Sequence, residues 1–221
     1  ESLRQLEGRR SLRFGATLTI GEYIMPAPLL RLLERDPEIQ LRMDTANTQE
    51  LLERLDRGEL EFVIVEGDFD RQAYDSLTYC TQPYIPVCAP SYSFSRPVRR
   101  LGDLVEERLL VREPGSGTRT VLERALEAHN LRVRDFRRVT ELGSLNAIKA
   151  LVCAGAGISF FYQPVVQREL EAGVLNTIPM EDSSISHDFT FLWRRGSVFT
   201  PYYREVFRLL AQPEAFSPED G

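Results

Sequence analysis

The sequence is poor in the residues that build covalent and metal frameworks. Its three cysteines, Cys80, Cys88 and Cys153, are an odd number without CxxC spacing, and only His129 and His187 supply imidazole. Neither a disulfide framework nor a zinc site fits that pattern; a reducing cytoplasm fits it better, and no cofactor is expected. No apolar run approaches the ~20 residues of a membrane span, and no signal-peptide core is present, so no membrane partner is expected. Positive charge is also scarce. The formal net charge of −6 argues against this chain itself gripping DNA, whose general attraction is for lysine and arginine. Small anions stay open, because a helix start and one arginine can hold one inside an acidic protein.

Catalytic pairs are missing as well. Ser116 and His129 are 13 positions apart; on one helix they would stand about 20 Å from each other, too far for a serine–histidine pair. Glu66 and Asp68 follow an apolar run and read as a solvated turn rather than as paired acids. Turnover is therefore not expected.

What the chain does have is a globular composition, 43% hydrophobic and 27% charged over 221 residues. That length suits one sizeable core or two lobes of about 100 residues each. The first residue is Glu1 rather than Met, consistent with a fragment or a processed chain.

Apolar and polar residues alternate in Leu12–Ala16, which predicts a strand. Thr19 and Glu22 then have capping-box spacing, so a helix should begin near Ile20. Pro26 and Pro28 predict a restart or kink before Leu29. The pattern repeats: Ile39, Leu41 and Met43 alternate, Asn47 can cap a helix with Glu50 at its third position, and Gly58 can end it. Phe62–Val65 is nearly all apolar, as in a parallel strand covered on both faces. Strands alternating with helices predict an α/β lobe.

Farther on, strands are expected at 84–89, where Pro86 suits an edge or an irregular crossing, and at 109–111, 136–140, 158–161, 175–179 and 189–193. Helices are expected at 118–129, from Ser144 to the Gly155 break, at 163–171 and at 202–210.

The loop Gly115-Ser116-Gly117-Thr118-Arg119 falls between a strand and a helix. Amides, hydroxyls, a helix start and Arg119 together would match a carboxylate, sulfate or phosphate-sized anion. It has no lysine and no GxGxxG arrangement, so neither nucleotide loop applies. The plainer reading is a flexible turn with a capped helix, and Arg119 could instead satisfy a neighbouring acid. Thr17, Thr19 and Thr48 lie near strand ends or helix starts, where ligands collect beside open α/β sheets; the alternative is that Thr19 only caps. Gly155, Gly157 and Phe160–Phe161 could wall the same cleft or simply fill the core.

Across nearly the whole chain the sequence resembles the effector-binding region of LysR-type transcriptional regulators. The resemblance rests on Leu12–Ala16 with Thr17 to Tyr23, Asn47–Leu52, Phe62–Gly67, Arg112–Arg119, Glu141–Ser144 with Ile148-Lys149, and Ala154–Ser159.

It implies an α/β fold of two Rossmann-like lobes joined by two crossover strands, like the type II periplasmic binding proteins. Lobe one would comprise 12–84 and 189–212, lobe two the inserted 85–188, with a linker end at 1–11 and a tail at 213–221. The effector pocket would lie between the lobes. It would use Thr17, Thr19 and Thr48 from one, Ser116, Gly117, Thr118 and Arg119 from the other, and Phe161. The resemblance further implies a small anionic metabolite, a homodimer or homotetramer, promoter DNA bound through an N-terminal winged helix-turn-helix outside this chain, and RNA polymerase as a further partner. None of the cysteines sits in the glycine loop, so a peroxide-sensing disulfide is not indicated. A free-standing solute-binding protein has the same architecture and is the competing expectation.

Overall fold

The computed structural model describes residues 11–182 and 184–211; the expected linker end and tail fall largely outside them. The chain divides into two compact units. Unit 1 takes in the chain up to Thr81 and again from Asp188, and unit 2 is Gln82–His187. The chain passes from one unit to the other twice, inside the strands β4 (Tyr74–Cys88) and β9 (Ile185–Arg194). The fold is thus α/β with two Rossmann-like lobes joined by two crossover strands.

In unit 1, β1 (Ser11–Thr17) lies parallel to β2 (Gln40–Ala46) and to β3 (Phe62–Val65), and β9 runs antiparallel on the far side of β3. The four residues of β3 are all buried, as its apolar run predicts, because both faces are covered. On one face Phe62 stacks between Phe14 and Phe191, with ring centroids 4.9 and 4.3 Å away. On the other, Val63 and Val65 meet Leu51 and Leu55 of α2 (Thr48–Asp56). Gly15 lets α2 approach β1, since a Cβ there would stand 2.6 Å from the Leu51 side chain.

Asn47 caps α2 as expected, its side chain accepting from the Glu50 amide at 2.9 Å. The first helix departs from expectation. Leu18 and Thr19 are already helical, Thr19 makes no side-chain cap bond, and a π-helical turn follows at Ile20–Ile24. The reason lies in Pro26, which has no amide to continue the ladder. The Met25 amide reaches back to the Ile20 carbonyl at 2.8 Å, and α1 (Pro26–Arg35) starts afresh. Pro28 falls in its first turn, where amides lack helical partners anyway.

In unit 2, β5 (Arg108–Val111) pairs in parallel with β6 (Arg138–Glu141). It also exchanges backbone bonds with Ile158, at the entrance to β7 (Ser159–Tyr162). Gly157 permits that approach: a Cβ on it would sit 2.5 Å from the Arg108 carbonyl oxygen. β7 pairs antiparallel with β4, and β8 (Asn176–Thr177) pairs with β4 as well. Pro86 therefore lies within a paired strand rather than at an edge or in an irregular crossing. Its carbonyl accepts from Ile178 at 2.9 Å, so its missing amide faces the short β8 and not β7. Helices α3 (Gly117–Ala128), α4 (Leu145–Cys153) and α5 (Gln163–Glu171) complete the unit, and α6 (Thr200–Leu210) belongs to unit 1. Among the described residues no helix is long and apolar enough to cross a membrane.

Candidate functional site

Two groups of predicted residues occupy strand ends, one in each unit. In unit 1 the parallel register aligns Thr17 with Ala46 and Ala16 with Ile64. The carboxyl ends of β2, β1 and β3 consequently bring together Thr48, Thr17 and Glu66, the position beside an open α/β sheet where ligands collect. Thr17, Thr19 and Thr48 are each at least 96% buried.

The hub of this group is Glu66, which is only 2% exposed. This corrects the expectation of a solvated turn at Glu66. The Thr17 hydroxyl donates to its carboxylate, and the Thr48 hydroxyl donates to its backbone carbonyl at 2.8 Å. A carboxylate so deep in the fold needs such donors to offset its desolvation. Its signal in the sequence was its place immediately after the buried Phe62–Val65 run, at a parallel strand's carboxyl end. Thr19 stands out for a different reason: its hydroxyl oxygen is buried and has no hydrogen-bond partner.

In unit 2 the glycine loop leaves β5 through the buried Arg112, which forms a two-pronged pair with Glu113 at 2.8 Å per prong. Gly115 takes the left-handed conformation, φ 87°, open to glycine without penalty. Ser116 is the N-cap of α3 but supplies no side-chain cap bond. The start of α3 at Gly117 and Thr118 is thus not closed off by its own cap, and the helix dipole there favours negative charge. Ser116 and Thr118 are both buried.

Arg119 resolves the two readings the sequence left open. Its guanidinium donates to Glu123 at 2.8 Å, Glu141 at 2.6 Å and the Arg112 carbonyl at 3.1 Å. Burial works against its charge, but the bonds to Glu123 and Glu141 outweigh it and raise its pKa. Arg119 therefore braces the loop through these acids. Phe161 is 1% exposed in β7 and shares with Thr118 and Ser159 the wall of a small cavity of ≈ 10 Å³, about the size of one water.

Ser116 and His129 cap opposite ends of α3, and among the described residues no cluster of three or more metal-ligating side chains occurs.

The model of the LysR substrate binding domain family matches residues 5–213. The chain belongs to this family. Similar curated proteins include transcriptional regulators. The uncharacterized HTH-type regulator YeiE of Escherichia coli K12 is 28% identical over 172 residues, 78% of this chain. The HTH-type regulator CbbR of Rhodospirillum rubrum is 28% identical over 203 residues, covering 91% of this chain and 66% of its own length. The chain spans 58% of the length of YeiE. Among solved structures, the Synechocystis PCC6803 CcmR regulatory domain in complex with 2-PG superposes with a TM-score of 0.78 at 22% identity. That match covers 92% of this chain and 98% of the other. The LysR effector-domain fold is shared.

Proposed function

We propose that this LysR-family domain senses a small anionic metabolite for a bacterial, cytoplasmic DNA-binding regulator. The effector engages Thr17, Thr19 and Thr48 of one lobe together with Ser116, Gly117, Thr118 and Phe161 of the other, with lobe boundaries near residues 84 and 189. Its negative group meets the amides at the start of α3, and Arg119 holds that loop in shape. The observation that carries this reading is the Thr19 hydroxyl. A buried polar atom without a partner is costly, and it is tolerated where a ligand supplies the missing bond. The 2-PG bound by the CcmR domain is a precedent for a small ligand on this fold.

Signalling would proceed by population shift. An effector that favours one interlobe angle tenfold supplies about 1.4 kcal/mol of coupling. In a homodimer or homotetramer that is enough to bias how winged helix-turn-helix segments outside this chain meet promoter DNA, and how RNA polymerase is met there. Native mass spectrometry of the full regulator, purified gently from its host, tests the proposal. A retained small acid is the expected result, and release of that acid by Thr19→Ala ties it to this site. Retention unaffected by Thr19→Ala and Thr118→Ala would contradict the assignment.

A further inference from the structure

A hydroxyl has one proton to give and two lone pairs with which to accept. In unit 1 two of those protons are already committed. Thr48 gives its proton to the Glu66 carbonyl at 2.8 Å, and Thr17 gives its proton to the Glu66 carboxylate. A backbone carbonyl can only accept, so the Thr48 bond cannot run the other way, and in the Thr17 bond the hydroxyl is the donor. What Thr17 and Thr48 have left for a guest is lone pairs. Only Thr19, buried and without a hydrogen-bond partner, keeps an uncommitted proton.

We propose that the Thr17–Thr48–Glu66 group selects a guest that donates hydrogen bonds, an organic molecule bearing hydroxyl or ammonium groups, and discriminates against a bare oxyanion such as sulfate. Glu66 is the residue that sets this preference. It turns the Thr17 proton toward its own carboxylate, in a site that is 2–4% exposed at Thr17, Thr48 and Glu66 alike. A sulfate there would face the lone pairs of Thr17 and Thr48 beside the Glu66 carboxylate. The inference rests on the proposal that these threonines meet the effector, and it narrows the ligand class. The guest's negative group is left to the α3 start, and its donors go to unit 1.

The test uses this 221-residue chain with threonine-methyl NMR, titrating three probes: sulfate, propanoate and 2,3-dihydroxypropanoate. The last two share a carboxylate and differ in two donor hydroxyls. The expected result is at least about tenfold tighter binding of the dihydroxy acid than of propanoate, read at Thr17 and Thr48, with sulfate leaving both signals in place. Glu66→Gln should shrink that preference and admit sulfate, because a carboxamide can donate to Thr17 and release its proton outward. Should the variant not fold, the wild-type comparison decides alone. Sulfate moving the Thr17 and Thr48 signals as strongly as the dihydroxy acid, or equal binding of the two acids, overturns the inference and leaves the effector site standing. If no probe moves either threonine, the inference and the proposed site fail together.

Discussion

Thr48 Oγ1 lies 2.8 Å from the backbone carbonyl oxygen of Glu66, so the first hydroxyl of α2 fastens the end of β3. Thr48→Val keeps the shape and removes the hydroxyl that donates to this buried carbonyl. The expected loss is about 1–3 kcal/mol of unfolding free energy, read as a lowered urea midpoint with an unchanged slope, and Thr48→Ser should recover most of it.

Gly157 offers a steric test. An added Cβ would stand 2.5 Å from the Arg108 carbonyl and 2.6 Å from the Leu110 side chain, so β5 and the entrance to β7 must part. Gly157→Ala should cost about 1–3 kcal/mol. Gly102→Ala is the control, since nothing lies within 4 Å of its Cβ; a change within about 0.5 kcal/mol is expected there. Thermal or urea unfolding of the two variants side by side decides the matter.

His129 gives a pH dependence whose sign can be worked out. Its two ring nitrogens lie 2.9 Å from the Ala125 carbonyl and 3.2 Å from that of Asp182. Both oxygens only accept, and a neutral imidazole has a single N–H, so only the cation satisfies both. The bonds to Ala125 and then Asp182 raise its pKa above 6.5. A raised folded-state pKa means that the stabilisation is complete below the unfolded value and is lost as pH rises through the folded one. The stability gap between wild type and His129→Gln should therefore close as pH increases past neutrality. An NMR titration midpoint at or below 6.5 would contradict this.

The ion pairs of Arg119 are partly exposed at their acidic ends, with 43% and 48% of the Glu123 and Glu141 side chains accessible. A double-mutant cycle on Arg119 and Glu141 should give a coupling of about 0.2–1 kcal/mol that falls with added salt. A coupling that ignores salt would mean the pair is better shielded than described.

The sequence announces elements wherever local chemistry and packing agree. The Asn47 cap, the start of α4 beside Ser144 and the buried β3 all lie where pattern alone puts them. It misleads where a distant constraint prevails. Thr19 and Glu22 have the spacing of a cap, but Pro26, seven residues beyond Thr19 in the chain, imposes a π-turn and the helix begins before Thr19. Pro86 looks like an edge residue until the short β8 takes the side its missing amide faces. The threonines and the glycine loop lie where the sequence places them, Thr17 at the end of β1, Thr48 at the start of α2 and Gly117 at the start of α3. The burial of Glu66 was missed, because its one local signal, a place directly after the buried β3 run, does not reveal the Thr17 hydroxyl 49 positions away that meets its carboxylate. The partners of Arg119 were likewise illegible, since Glu141 is 22 positions away.

The account stands most directly on one binding measurement: the affinity, by calorimetry, of the metabolite recovered from the full regulator for wild type, Thr19→Ala and Thr118→Ala. Each substitution removes one hydroxyl from a different lobe, and each should weaken binding by about tenfold with little change in melting temperature. Unchanged affinity in both variants would contradict the claim that hydroxyl-bearing turns of the two lobes hold the effector.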